Sequence, residues 1–65
     1  MKQNDKCRIV NDWLSAEAKK ATVQVIGFQD NMQLTYARVL WLGYNAKEFQ
    51  EQFGTLFPIK ELRVI

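Results

Sequence analysis

The sequence contains no histidine, one cysteine and one proline, and these scarcities exclude several kinds of site. The lone Cys7 cannot form an internal disulfide, and the usual zinc-ligand and redox spacings need more cysteines and histidines than the chain has. Neither Cys7 nor Ser15 has a histidine to act as its base, and the three glycines form no phosphate-cradling loop. The sequence therefore predicts a protein that is not an enzyme and that holds no cofactor or metal.

Long hydrophobic runs are also missing. No apolar stretch approaches the roughly 18 residues that a transmembrane helix needs, and the N-terminus lacks the apolar core of a signal peptide. Together with the unpaired Cys7, this pattern predicts a cytoplasmic protein without a membrane partner.

The 65 residues, of which 48% are hydrophobic and 25% are charged, predict one small globular domain over 1–65, with residues 1–9 flexible. A core of this size is close to the lower limit for independent folding, which favours a homo-oligomer. The net charge is only +2, but five of the nine basic residues lie in the first twenty positions. They are Lys2, Lys6, Arg8, Lys19 and Lys20.

Hydrophobic spacing predicts one N-terminal helix and a hairpin. The helix runs from Val10 to Ala21, and Asn11, Asp12 or Ser15 are alternative caps for a shorter version. Strands are predicted for 22–28 and 33–42, and a loop over 30–32 would place Phe28 opposite Leu34.

The segment 45–53 has two interpretations. Asn45 followed by Glu48 resembles a capping box, with Gly54 as the helix end, whereas Phe49, Glu51 and Phe53 alternate as in a strand. The helix gives an α+β fold of αββαβ order. The strand gives a mainly β fold, an N-terminal α-helix followed by a small five-stranded barrel. Residues 54–65 are typical of a strand, a turn beginning at Pro58, and a second strand.

The segments 13–16, 19–20, 23–28 and 30–34 resemble bacterial Hfq, an Sm-like RNA chaperone, and 57–65 are similar to its last two strands. Small SH3-like and Sm-like barrels end with the same succession of a strand, a short turn and a second strand. The resemblance implies an RNA-binding regulator that assembles into a ring. It also implies an RNA-binding set, with Lys60 alone matching the lysine-histidine pair of the family's uridine pocket. The set is Lys19, Lys20, Arg8, Gly27, Met32, Gln33, Leu34 and Lys60.

A looser resemblance, to the Sm-like Rho inhibitor Rof, supports an alternative function. In this hypothesis the chain is a small adaptor or inhibitor, of a kind that phages and plasmids encode, and it acts on a host protein. Exposed aromatic side chains are the usual anchors of such an interface. Trp41, Tyr44 and Arg38 are the candidate contacts.

Each of these residues also has a simpler interpretation. Lys19 and Lys20 are explained by a solvated helix end, and Arg8 by a frayed terminus. Among the aromatic residues, Trp41, Tyr44 and Phe57 are the candidates for stacking on bases. A core position is nevertheless favoured for Trp13, Phe28 and Phe57, whereas Trp41 and Tyr44 border a predicted loop. Glu48 and Glu51, three residues apart, fit a solvated helix face better than acid–base catalysis.

Overall fold

The computed structural model describes all 65 residues and shows a mainly β protein with two α-helices and one 3₁₀ helix. The elements in chain order are β1 (Lys6–Ile9), α1 (Ala16–Lys20), β2 (Val23–Asn31), β3 (Leu34–Trp41), α2 (Ala46–Phe53), β4 (Leu56–Pro58), the 3₁₀ helix (Ile59–Glu61) and β5 (Leu62–Val64). The strands form one antiparallel sheet in the order β4-β3-β2-β1-β5. Neither helix is long and apolar enough to cross a membrane.

The N-terminal residues contribute a strand to the sheet. In β1, Cys7 and Ile9 are buried and alternate with the exposed Lys6 and Arg8, and the strand pairs with both β2 and β5. The prediction that residues 1–9 are flexible is therefore wrong for this segment. An alternating pattern with only two buried positions in four residues is too short to identify a strand from the sequence. The sequence therefore indicated only a basic terminus.

Helix α1 is much shorter than the predicted helix of residues 10–21. Its N-cap is Ser15, one of the three proposed caps, whose Oγ accepts a hydrogen bond from the Ala18 backbone N–H at 3.2 Å. The residues before the cap contact the 3₁₀ helix, where the Val10 N–H donates to the Glu61 carbonyl at 2.7 Å. Residues 10–14 form a loop bound to the 3₁₀ helix instead of the predicted first helical turn.

The β2–β3 hairpin forms as predicted but in a different register. Asn31 lies opposite Leu34, so the loop contains only Met32 and Gln33, and Phe28 lies opposite Ala37 instead of Leu34. The register shifts between Val25 and Gly27, where a bulge adds one residue to β2. The extra residue keeps Phe28 on the same side of the sheet as Val25.

The segment 45–53 contains helix α2, so the strand interpretation of Phe49, Glu51 and Phe53 is wrong. Gly54 ends the helix at φ +81°, and its N–H donates to the Gln50 carbonyl at 3.0 Å. The capping box is not formed, since the Asn45 side chain makes no capping hydrogen bond. The chain thus combines the second helix of one interpretation with the five strands of the other, because β1 supplies the additional strand.

The closing segment is a strand, a 3₁₀ helix after Pro58 and a second strand, as the sequence predicted. Its two strands, β4 and β5, lie at opposite edges of the five-stranded sheet although only three residues separate them. Four strand spacings in a flat sheet would span about 19 Å, which a 3₁₀ link rising about 2 Å per residue does not reach. The sheet is therefore strongly curved, and it is not closed by hydrogen bonds between β4 and β5.

Helix α2 packs on the concave side of this sheet through a cluster of aromatic rings. Trp41 is only 2% exposed, lies 5.3 Å from Phe49 and 6.0 Å from Phe57 between ring centroids, and donates from Nε1 to the Gly54 carbonyl at 2.8 Å. The prediction of Trp41 as an exposed protein-binding anchor is therefore wrong. Phe57 is buried as predicted, whereas Trp13 and Phe28, which were also predicted to be core, are exposed.

Candidate nucleic-acid interface

An open groove of about 560 Å³ lies where β1, the loop after it, α1 and β5 meet. It is called the basic groove here, because three of its seven lining residues are cations and only one is a carboxylate. The lining residues are Arg8, Ile9, Val10, Asn11, Asp12, Lys19 and Arg63.

Two of the cations face each other across the β1–β5 ladder. Arg8 and Arg63 are direct register partners, and both side chains lie on the face of the sheet opposite the buried neighbours Ile9 and Leu62. Like charges directly opposite each other in a sheet are destabilising. The pair therefore opposes folding stability, and an anion bound between the two guanidinium groups would relieve the repulsion.

The third cation comes from α1. Lys19 lies in the last turn of this helix and is half-buried, with the buried Ala18 beside it on the side that packs on the sheet. The electrostatic preference of a helix C-terminus for cations suits this position. Lys20 is exposed and does not line the groove.

One wall of the groove is a loop that is anchored at several points. Besides the backbone bond from Val10 to Glu61, the Asn11 Nδ2 donates to the Glu61 Oε1 at 2.8 Å. The Asn11 Oδ1 accepts from the Leu14 N–H at 3.1 Å, and the Leu14 side chain is buried. These contacts hold residues 10–14 against the 3₁₀ helix, so this wall of the groove is preorganised.

The structure brings together Arg8 and Lys19 of the predicted RNA-binding set and adds Arg63, which sequence reasoning missed. No local pattern marks Arg63, because its proximity to Arg8 depends on the pairing of the first strand with the last. Lys60 is exposed on the 3₁₀ helix, whose Glu61 anchors the loop, but it does not line the groove.

Three of the other predicted RNA contacts lie at a different end of the molecule. Met32, Gln33 and Leu34 form the end of the β2–β3 hairpin, and Gly27 lies beside the bulge in β2. The part of β2 that pairs with β1 ends at Gln24, seven residues before Asn31, which corresponds to about 23 Å along a strand. One short ligand would not contact both regions.

Among the aromatic residues, the structure separates those that a ligand can reach from those that it cannot. Trp41 and Phe57 are buried and cannot stack on a base. Tyr44 is fully exposed in the loop between β3 and α2, and Trp13 is more than half exposed in the loop next to the basic groove. The helical spacing of Trp13 with Leu14 and Ala18 predicted a core position. Helix α1 begins only at Ala16, so Trp13 lies outside it and this spacing does not apply.

A second groove, of about 410 Å³, lies over β2, β3 and β4. It is called the outer groove here, and it is lined by the exposed apolar side chains Ile26, Leu40 and Leu56. Arg38, one of the predicted protein contacts, also lines it and donates from Nη2 to the Gln29 Oε1 at 3.3 Å. Exposed apolar side chains beside one cation are suited to a protein partner.

The side chains considered for catalysis are not brought together. Glu48 and Glu51 are exposed on α2, and Ser15 caps α1. Cys7 is buried in β1, and burial raises the pKa of its thiol, with a smaller contribution from the Asp5 carboxylate. A thiol with a raised pKa is a poor nucleophile at neutral pH.

No protein-family model matches this chain, and no curated protein or solved structure matches it.

Proposed function

We propose that this protein is a non-enzymatic, cytoplasmic RNA-binding regulator of the Sm-like type that acts as a ring. The observation that carries the proposal is the convergence of Arg8, Lys19 and Arg63 on one groove that has a single carboxylate, Asp12. Cations placed together in this way bind phosphates and release counterions from the nucleic acid. The modest net charge does not oppose this, because local affinity depends on how the charges are distributed.

The course of the chain supports the barrel that Sm-like and SH3-like proteins share. In this sheet the consecutive strands β4 and β5 lie at opposite edges and are joined by a 3₁₀ helix, so the sheet curves back towards itself. Such curvature, with a bulge in β2, is how small sheets approach closure.

The proposed ring would use the two free edges. β4 and β5 each pair on one side only, which leaves a row of unpaired backbone groups three residues long at each edge. Pairing β4 of one copy with β5 of the next would repeat around a ring and cover apolar residues near these edges. Val64 and Ile65 are two such exposed residues.

The experiment that tests RNA binding compares groove and control variants. We expect Arg8→Ala with Arg63→Ala to weaken binding of a single-stranded RNA. The slope of log affinity against log salt should decrease by about 1.4, since each phosphate contact on a single strand contributes about 0.7. Fluorescence anisotropy at several salt concentrations measures both quantities.

Lys47→Ala is the matched control, because Lys47 is exposed on α2 and does not line the basic groove. Its affinity and salt slope should stay close to those of the unmodified protein. Equal slopes for the double variant and the unmodified protein would exclude the basic groove as the RNA site, and no binding at low salt would reject the RNA-binding function.

The outer groove favours a second candidate function, a small adaptor or inhibitor that binds a host protein. Ile26, Leu40 and Leu56 would provide apolar contact and Arg38 a charged one. Leu40→Ser should then reduce recovery of a partner from a cell lysate without changing RNA affinity. Recovery of the same partner by both proteins would argue against the outer groove as its site.

A further inference from the structure

Trp13 is held in place on one side and open on the other. Its indole lies nearly parallel to the Phe57 ring, at 16° and 6.0 Å between centroids, and 5.9 Å from the tilted Phe53 ring. The residue is nevertheless 56% exposed. The buried Phe57 thus supports one face of the indole, and a large part of the aromatic surface remains open to a ligand.

The backbone around Trp13 is also fixed. On the N-terminal side, the Asn11 side chain is bonded to Glu61 and to the Leu14 N–H. On the C-terminal side, Leu14 is buried and Ser15 caps α1. A rigid aromatic side chain loses little conformational entropy on binding, so the exposed indole is preorganised for a flat ligand.

Trp13 is also directly next to the basic groove along the chain. The two residues before it, Asn11 and Asp12, line the groove, and adjacent Cα atoms are about 3.8 Å apart. One short loop, residues 10–14, therefore carries both a wall of the basic groove and the exposed indole. Single-stranded nucleic acids are bound by this combination, in which cations hold the phosphates and an aromatic ring stacks on a base.

From this juxtaposition we infer that Trp13 is the stacking platform for one unpaired base of a single-stranded RNA whose adjacent phosphates lie in the basic groove. The inference rests on the proposed RNA-binding function and narrows its ligand. A base in a duplex is stacked and paired on its own strand and cannot lie on the indole. The site therefore selects single strands over duplexes.

The test compares an RNA octamer with an octamer of the same backbone in which every nucleotide is abasic. Both carry the phosphates, but only the first has bases to stack. We expect the unmodified protein to bind the base-bearing strand about tenfold more tightly, within the range for one stacked base. Trp13→Ala should lose this preference and keep its affinity for the abasic strand.

Phe28→Ala is the matched control, because Phe28 is an exposed aromatic residue that does not line the basic groove. It should keep the preference for the base-bearing strand. Trp13 emission in the unmodified protein gives a second measurement that needs no substitution, since the only other tryptophan, Trp41, is buried. The base-bearing strand should quench this emission, and the abasic strand should not.

The outcomes separate this inference from the proposed function. Equal binding of both strands, no quenching, or unchanged preference in a folded Trp13→Ala variant would overturn the role of Trp13 and leave RNA binding intact. Tighter binding of a duplex of the same sequence would also overturn it. Failure of the unmodified protein to bind either strand at low salt would reject the proposed function itself.

Discussion

Met32 has a backbone conformation that its side chain disfavours. Its φ is +59°, in the left-handed region, and it is the first of the two loop residues of the β2–β3 hairpin. Two-residue hairpin loops with positive φ at the first position usually place glycine there. The loop was predicted for residues 30–32, but in the observed register it contains only Met32 and Gln33, and the positive φ falls at Met32.

Met32→Gly should therefore stabilise the protein by about 0.5–1 kcal/mol, because glycine has no steric penalty at positive φ. No packing is lost, since Met32 is 99% exposed. The urea midpoint measures the effect. The control is Gln33→Gly, at a position without positive φ, which should lower stability. A lower midpoint for Met32→Gly would contradict the loop geometry.

The buried thiol of Cys7 makes the free energy of unfolding depend on pH. Burial, with a contribution from Asp5, raises the pKa of the thiol in the folded protein above its ordinary value of 9.0. The folded state therefore holds this proton at pH values where the unfolded state has released it. The thiol's contribution to stability is complete below pH 9.0 and decreases as the pH rises through and above that value.

The prediction is that, above pH 9.0, the free energy of unfolding falls more steeply in the unmodified protein than in Cys7→Ala. Denaturant titrations at several pH values measure both slopes, and the difference between the variants isolates the contribution of the thiol. Parallel slopes would show that the thiol is ionised as easily in the folded state as in the unfolded one.

At the scale of elements, α2 is attached to the sheet through the aromatic cluster of Trp41, Phe49 and Phe53. Trp41 packs against the rings of the helix and donates a hydrogen bond to the carbonyl of Gly54 at the helix end. An eight-residue helix is not stable alone in water, so tertiary packing must stabilise it.

Trp41→Ala should accordingly destabilise the fold by about 3–5 kcal/mol, which is a large part of the stability of a domain of this size. Trp41→Phe, which keeps a ring but loses the hydrogen bond, should cost less. Tyr44→Ala, an exposed aromatic close by in sequence, should change stability by less than about 0.5 kcal/mol. Thermal unfolding followed by circular dichroism ranks the three, and equal effects of Trp41→Ala and Tyr44→Ala would contradict the packing.

At the scale of the whole molecule, the curvature of the sheet leaves two short free edges and many large apolar side chains exposed. A domain of 65 residues buries a small core, and association would cover more apolar surface. The proposed ring predicts the mass of the protein in solution. Light scattering should give a multiple of the 7.6 kDa chain, with or without nuclease treatment.

Val64→Lys places a charge on the edge strand β5 and should convert the assembly to monomers, because charged side chains on an edge oppose pairing between copies. Met32→Lys makes the same change of charge at the hairpin end and should leave the mass unchanged. A mass of 7.6 kDa for the unmodified protein would reject the ring but not RNA binding by single copies.

Features that depend on neighbouring residues could be predicted from the sequence. The closing strand, turn and strand follow from Pro58 between two β-rich segments, and Gly54 marked the end of α2. Ser15 was among the proposed caps of the first helix. In each case, residues a few positions apart make the deciding contact, so composition and spacing contain the necessary information.

Only the tertiary structure decided which residues meet from distant parts of the chain and which face water. The pairing of β1 with β5 places Arg63 opposite Arg8. The first helix begins only after Ser15, so Trp13 lies in a loop and is exposed. An aromatic side chain is equally compatible with a core or a surface until the packing of its element is known. The sequence by itself therefore determined a small β-rich domain, and long-range pairing determined the groove and its aromatic neighbour.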